Sequence, residues 1–119
     1  MTHRDPVHRS ANGEGEFQPS RLVAEGSHEP SASRPLFTAA LSAGGTSRVA
    51  VWLAAPGTYR HPGGSDETFV VLEGEARMTL PDSEEKLEAG SVVHIPAGIP
   101  SVMSVTRELR KVSVIIDPA

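Results

Sequence analysis

His61 and Glu67 stand six residues apart in the stretch HPGGSDETFVVLEGE, residues 61–75, with Asp66 beside the glutamate. An imidazole and a carboxylate held together can pass a proton between them, and each is also a ligand for a divalent metal. A metal asks for more than two ligands: structural zinc usually takes four, and catalytic zinc or iron about three with open positions. His94 is the only other histidine after residue 35. Turned inward, it would complete a His61–Glu67–His94 set for zinc, manganese, iron or nickel; turned elsewhere, it is a hydrogen-bonded structural histidine. Ser101 has no base at a fixed sequence offset and is not read as a nucleophile. The chain has no cysteine, so disulfides, thiolate metal sites and cysteine nucleophiles are excluded.

The elements that must position these groups are short and β-like. LFTAAL (36–41), RVAVWLA (48–54), TFVVLEG (68–74), EARMTL (75–80), KLEAG (86–90), SVVHIP (91–96), SVMSV (101–105) and KVSVII (111–116) are mostly broken by turn residues, while TFVVLEG and EARMTL run on almost continuously. Runs of this length and spacing predict an all-β sandwich or barrel, and no window carries the helical apolar period. If Glu67 points inward, Phe69 and Val71 share its face, because residues two apart lie on one side of a strand. A carboxylate there without a partner would have a raised pKa, and His61 is its expected partner. A buried salt bridge or a turn-facing hydrogen bond is the alternative use of Glu67. Lys111 is expected at the surface, with the barrel mouth as the other placement. Thr68, Val70 and Leu72 make the same strand apolar on its second face, which suggests a homodimer with this face or the N-terminal arm in the contact.

Residues 1–35 have a different texture. They hold Pro6, Pro19, Pro30 and Pro35 and little that is apolar besides Phe17, Leu22 and Val23. They are read as a partly irregular N-terminal arm, either a free tail or a segment held against the body or a partner subunit, with the folded domain over 36–119. With 119 residues the chain has room for one such domain. The formal net charge of −4 gives no footprint for nucleic acid. There is neither a signal-type apolar stretch near Met1 nor a run long enough to cross a membrane. The expectation is a soluble cytoplasmic protein.

Two segments carry a resemblance. Glu67, six residues and Gly74 match the second half of the first motif of the cupin superfamily, and Gly90, Pro96 and Gly98 match the spacing of its second motif. From Trp52 to Lys111 the chain more closely resembles the small cupin family named after (S)-ureidoglycine aminohydrolase and related to ethanolamine-utilisation cupins. The shared residues are Trp52, Pro56-Gly57, Asp66-Glu67, Leu72-Glu73-Gly74-Glu75, Ala89-Gly90, Pro96-Ala97-Gly98 and Arg110-Lys111. Met103 and Ser91 depart from that pattern. The resemblance implies a small antiparallel jelly-roll barrel of the RmlC-like type. It also locates the family's metal ligands. His61 aligns with one motif histidine, the other falling on Gly63 or, with an insertion, on Tyr59. The third histidine position is Ser101.

The implied protein is a small-molecule-binding cupin for a polar metabolite, with a degenerate or absent metal site and no cofactor expected. The alternative is an aminohydrolase- or isomerase-like enzyme, with or without a metal. His61 and Glu67 would form its acid/base pair, and Trp52, Tyr59, Phe69, Ser101 and Met103 would line the pocket.

Overall fold

Eight strands arise from these runs in the computed structural model, which describes residues 7–119 apart from Glu14 and Glu29. They are β1 (Gln18–Val23), β2 (Pro30–Ala40), β3 (Thr46–Ala54), β4 (Gly57–His61), β5 (Asp66–Leu80), β6 (Ser83–Leu87), β7 (Val92–Ile95) and β8 (Ser101–Asp117). All pairings are antiparallel, and the described residues include no helix. The architecture is an all-β jelly roll, and its path runs β1-β2-β3-β8-β5-β6, with β4 added on β8 and β7 on β5.

The two long strands hold the barrel together by changing neighbours partway. The first half of β5 lies between β7 and the second half of β8. Its second half lies between β6 and the first half of β8, which β4 flanks in turn. The change occurs where the β5–β8 register shifts between Val71 and Ala76. Gly74 makes this bend possible: its φ is +99°, and a Cβ there would sit 2.2 Å from the carbonyl oxygen of Glu108. The bulge also reverses parity. Glu67, Phe69 and Val71 point inward before it, and Ala76 and Met78 after it.

The core follows from this alternation. Trp52, Tyr59, Phe69, Val71, Met78, Met103, Val105 and Leu109 are all buried in one cluster with Leu87 and Ile95. Sequence pattern placed most of these runs, with three differences. SVMSV and KVSVII are one strand, β8, because the residues between them remain paired through Arg107 and Arg110 to the bend of β5. Strand β4 was not anticipated: Gly57, expected to end a turn, begins a strand that pairs Tyr59 with Met103 and His61 with Ser101.

The third difference concerns the arm. The boundary at 35/36 falls inside β2, and Gln18–Val23 forms β1 on its edge. The segment before β1 is strapped across the outer face of β2, β3 and β8. Arg34 donates to the Ser10 carbonyl at 2.7 Å and Arg110 to that of Ala11 at 3.2 Å. The Phe17 ring lies 5.7 Å from the Arg34 guanidinium and 5.6 Å from that of Arg110. On that face Arg34 neighbours Val51, which is fully buried although it stands opposite the main core.

Candidate functional site

Four strands deliver polar side chains to one end of the interior. The first half of β5 turns Glu67 inward, and the second half of β8 turns Lys111 and Ser113 inward from the facing strand. Trp52 of β3 lies directly opposite Lys111. His61 ends β4. Their side chains line a cavity of about 680 Å³ whose outer wall is β1, with Arg48 and Asp117 also on its lining.

Glu67 and Lys111 form its centre. The Lys111 ammonium donates to Glu67 Oε2 at 2.9 Å, and the Ser113 hydroxyl donates to the same oxygen at 2.7 Å. Glu67 Oε1 accepts no hydrogen bond among the described residues. Lys111 is 2% exposed. Its Nζ lies 4.1 Å from the centroid of Phe69 and 5.0 Å from that of Trp52, so two aromatic faces take the place of water around the cation. Trp52 is itself fixed: its indole N–H donates to Ser31 Oγ at 2.7 Å, and that hydroxyl donates to the Leu22 carbonyl at 2.6 Å. The Trp52 ring meets Tyr59 and His61 edge-to-face at 5.1 and 5.5 Å.

Charge states follow from these contacts. Burial and the Lys111 charge, against the pull of Glu67, lower the His61 pKa to about 4, so the imidazole is neutral near pH 7. Burial alone would raise Glu67, but the Lys111 charge, the hydrogen bonds from Lys111 and Ser113, and His61 together hold it below its ordinary value. Burial pushes Lys111 below the usual lysine range, and Glu67 opposes that shift. His61 Nε2 is buried with no hydrogen-bond partner. A buried polar atom left in this state costs roughly 1–3 kcal/mol unless a water or ligand meets it.

Several expected roles are redistributed. Glu67 pairs with Lys111 and Ser113, and makes no hydrogen bond to His61. Lys111, expected at the surface, is fully interior. Only the pairing of β5 with β8 reveals this, although the alternation Lys111, Ser113, Ile115 within KVSVII puts all three on one face. Asp66 points away and accepts from the backbone of Ala97 at 2.6 Å. Tyr59 spends its hydroxyl on the Ala55 carbonyl at 2.7 Å. Of the five expected lining residues Trp52 faces the 680 Å³ cavity, while Tyr59, Phe69 and Met103 are core and Ser101 lines a separate, shallower cavity of about 450 Å³ shared with His61.

A divalent metal does not fit these residues. His94 stands on the outer face, opposite Thr68, with its Nδ1 2.8 Å from the Thr68 hydroxyl; Thr68 alternates with the inward Glu67. The triad His61–Glu67–His94 is therefore corrected: its third member is on the wrong side of the strand. Gly63 and Ser101 bring no imidazole. Among the described residues, no group of three or more His, Cys, Asp or Glu is placed to hold a metal ion.

The fold has many solved counterparts. The chain is similar to a Schizosaccharomyces pombe cupin domain (TM-score 0.69, 15% identity, covering 93% of this chain and 69% of that one). It is similar to a Salmonella typhimurium protein whose name assigns it to ethanolamine utilization (TM-score 0.65, 16% identity, 88% and 100% covered). A Streptococcus pyogenes protein of unknown function gives a TM-score of 0.62 at 21% identity, with 78% and 79% covered. At these identities the likeness concerns the fold. No curated protein matches the chain. No helix long and apolar enough to cross a membrane occurs among the described residues. The model of the EutQ-like cupin domain matches residues 41–112, more than half of the chain, which takes in β3 to β7 and β8 as far as Lys111 and Val112 but leaves out β1, β2 and Ser113, and the chain belongs to that family.

Proposed function

We propose that this cupin binds a small polar metabolite in the cavity between β1 and the Trp52–Lys111 wall. The observation that carries the reading is the buried, unpartnered His61 Nε2 at the margin of a cavity of about 680 Å³. Such an atom calls for a hydrogen-bonding guest, and a cleft of that size with a few convergent polar groups is the usual form of a metabolite site. Glu67 Oε1 adds an acceptor fixed in place by Lys111 and Ser113, so a guest with hydroxyl, amine or amide donors suits the floor. No metal or cofactor enters this reading.

The test is titration of wild-type protein with hydroxy acids, amino acids, polyols and ureas, followed by amide NMR shifts. Saturable binding with shifts around Trp52, Lys111 and Ser113, weakened at least about tenfold in Glu67→Gln by loss of a charged hydrogen bond, is the expected result. Binding that ignores Glu67→Gln and His61→Ala would remove the site from this cavity.

A second reading rests on the neutral His61 beside an ionised Glu67. An imidazole free of its proton at neutral pH can accept one from a bound substrate, and the chain would then act as a metal-independent isomerase or hydrolase on a similar molecule. Turnover that falls with His61→Gln, while binding is retained, separates this reading from binding alone.

The assembly proposed is a cytoplasmic homodimer through the outer face of β5, where Thr68 and Val70 neighbour the exposed Val92 and Val114. A monomer mass in light scattering would reject it.

A further inference from the structure

The site contains a cation of its own. Glu67 is the acidic side chain of the metal-type motif that faces the cavity, since Asp66 is turned to the Pro96–Gly98 corner. Its Oε2 is bonded twice, by Lys111 Nζ at 2.9 Å and by Ser113 Oγ at 2.7 Å. The ammonium is enclosed on further sides by Phe69 and Trp52, the ring that also packs against His61. A second cation brought to Glu67 and His61 would meet this fixed like charge in a setting poor in water, where repulsion is little screened. It would also have to displace a charge-assisted hydrogen bond.

We propose that the Lys111 ammonium is the resident cation of this pocket, occupying the place beside Glu67 and His61 where a divalent ion would otherwise be held. The chain thereby carries its positive centre covalently. One N–H of Lys111 is committed to Glu67. The ammonium has three, so donors remain for a carbonyl or carboxylate oxygen of a guest. The charge at the pocket floor is then independent of metal supply. This inference does not depend on which metabolite binds, nor on whether one does.

The experiment uses the full chain, purified without a metal-affinity tag, treated with chelator and titrated with zinc chloride alone in a calorimeter. Wild type and Lys111→Arg, which both keep a cation, should show no zinc binding that Glu67→Gln alters. Lys111→Ala empties the place and frees the carboxylate. It should gain a weak zinc site, about tenfold or more tighter than in wild type, because the like charge beside the carboxylate is gone while His61 and Glu67 remain as ligands. The double variant Lys111→Ala/Glu67→Gln should lose that gain, which separates it from adventitious binding at surface histidines. Zinc binding by wild type that Glu67→Gln weakens would overturn the proposal, and this comparison stands even where Lys111→Ala does not fold. A folded Lys111→Ala protein that gains nothing would overturn it equally.

Discussion

The two ends of the barrel interior are built from the same two strands and differ in what those strands carry. At one end β5 and β8 contribute Ala76, Met78, Met103, Val105 and Leu109, closed by Leu87 of β6. At the other they contribute Glu67, Phe69, Lys111 and Ser113, closed by Trp52 and leading to a cavity. Alternation and antiparallel pairing of β5 with β8 are alike, and the chemistry of the inward residues changes. An apolar interior needs only shape and volume to be stable. A buried ion pair stabilises little compared with an apolar pair of similar volume, while loss of one partner is severe. The polar end is therefore the costlier construction, and its retention is an argument for use.

The sharpest way to break the comparison is to remove one charge. Lys111→Ala should lower unfolding free energy in denaturant by about 3–5 kcal/mol, because Glu67 is left buried and uncompensated. Replacing both partners, as Glu67→Leu with Lys111→Met, should recover most of that loss while abolishing ligand binding. A double variant no more stable than the single one would mean that the polar end is as structurally required as the apolar end.

Met78→Ala tests the other end. With its side chain fully buried, the substitution should cost about 2–5 kcal/mol through lost contact and the cavity left behind. Ligand affinity should stay unchanged, since Met78 does not line the pocket.

The ends should also differ in acid. His61 has a folded pKa of about 4 against 6.5 in the unfolded chain. The unfolded state therefore takes up the proton first, and stability present above pH 6.5 is lost as pH falls toward 4, on the order of 3 kcal/mol in all. Glu67, also depressed, adds its own loss only below its ordinary value of 4.5. Unfolding curves from pH 7.5 to 4 should show this slope in wild type and a flatter one in His61→Gln.

The smallest effect belongs to an ion pair outside the interior. Arg77 and Glu84 on β5 and β6 are 64% and 51% exposed, so Arg77→Ala should cost less than about 1 kcal/mol despite a 2.9 Å contact. A larger loss would show that geometry outweighs burial in setting the value of charge pairs here.

The sequence made the strand runs readable because turn residues bracket them, and it made Glu67, Phe69 and Val71 readable as one face because the period of a strand is two. It could not disclose partners. Glu67 was matched with His61, its nearest motif neighbour, whereas the ladder brings Lys111 from 44 residues away. Nor could periodicity reveal the side of the strand on which His94 lies without the Thr68–His94 register. Strand β4 was hidden because GTYRH is short, largely polar and begins in a glycine that reads as a turn. The arm misled by composition: Pro19 lies on the edge strand β1, Pro30 begins β2 and Pro35 stands at its bulge against β3, all places where a missing N–H is tolerated.

The strap around Phe17 has a kinetic consequence. Its contact from Arg110 to Ala11 spans 99 residues, and its other clamp, Arg34, sits on β2. The Arg110 clamp, and the enclosure of Phe17 by both guanidiniums, need β2, β3 and β8 to have paired. The strap is therefore expected to dock after the barrel's rate-limiting step, since contacts this distant in sequence reward the chain only once the loop between them is closed. Interactions that form late leave the folding rate alone and set how fast the native state is left. Phe17 thus acts as a latch in time: Phe17→Ala should speed unfolding and leave refolding unchanged, so that the first described segment of the chain governs the lifetime of a fold it does not help to start.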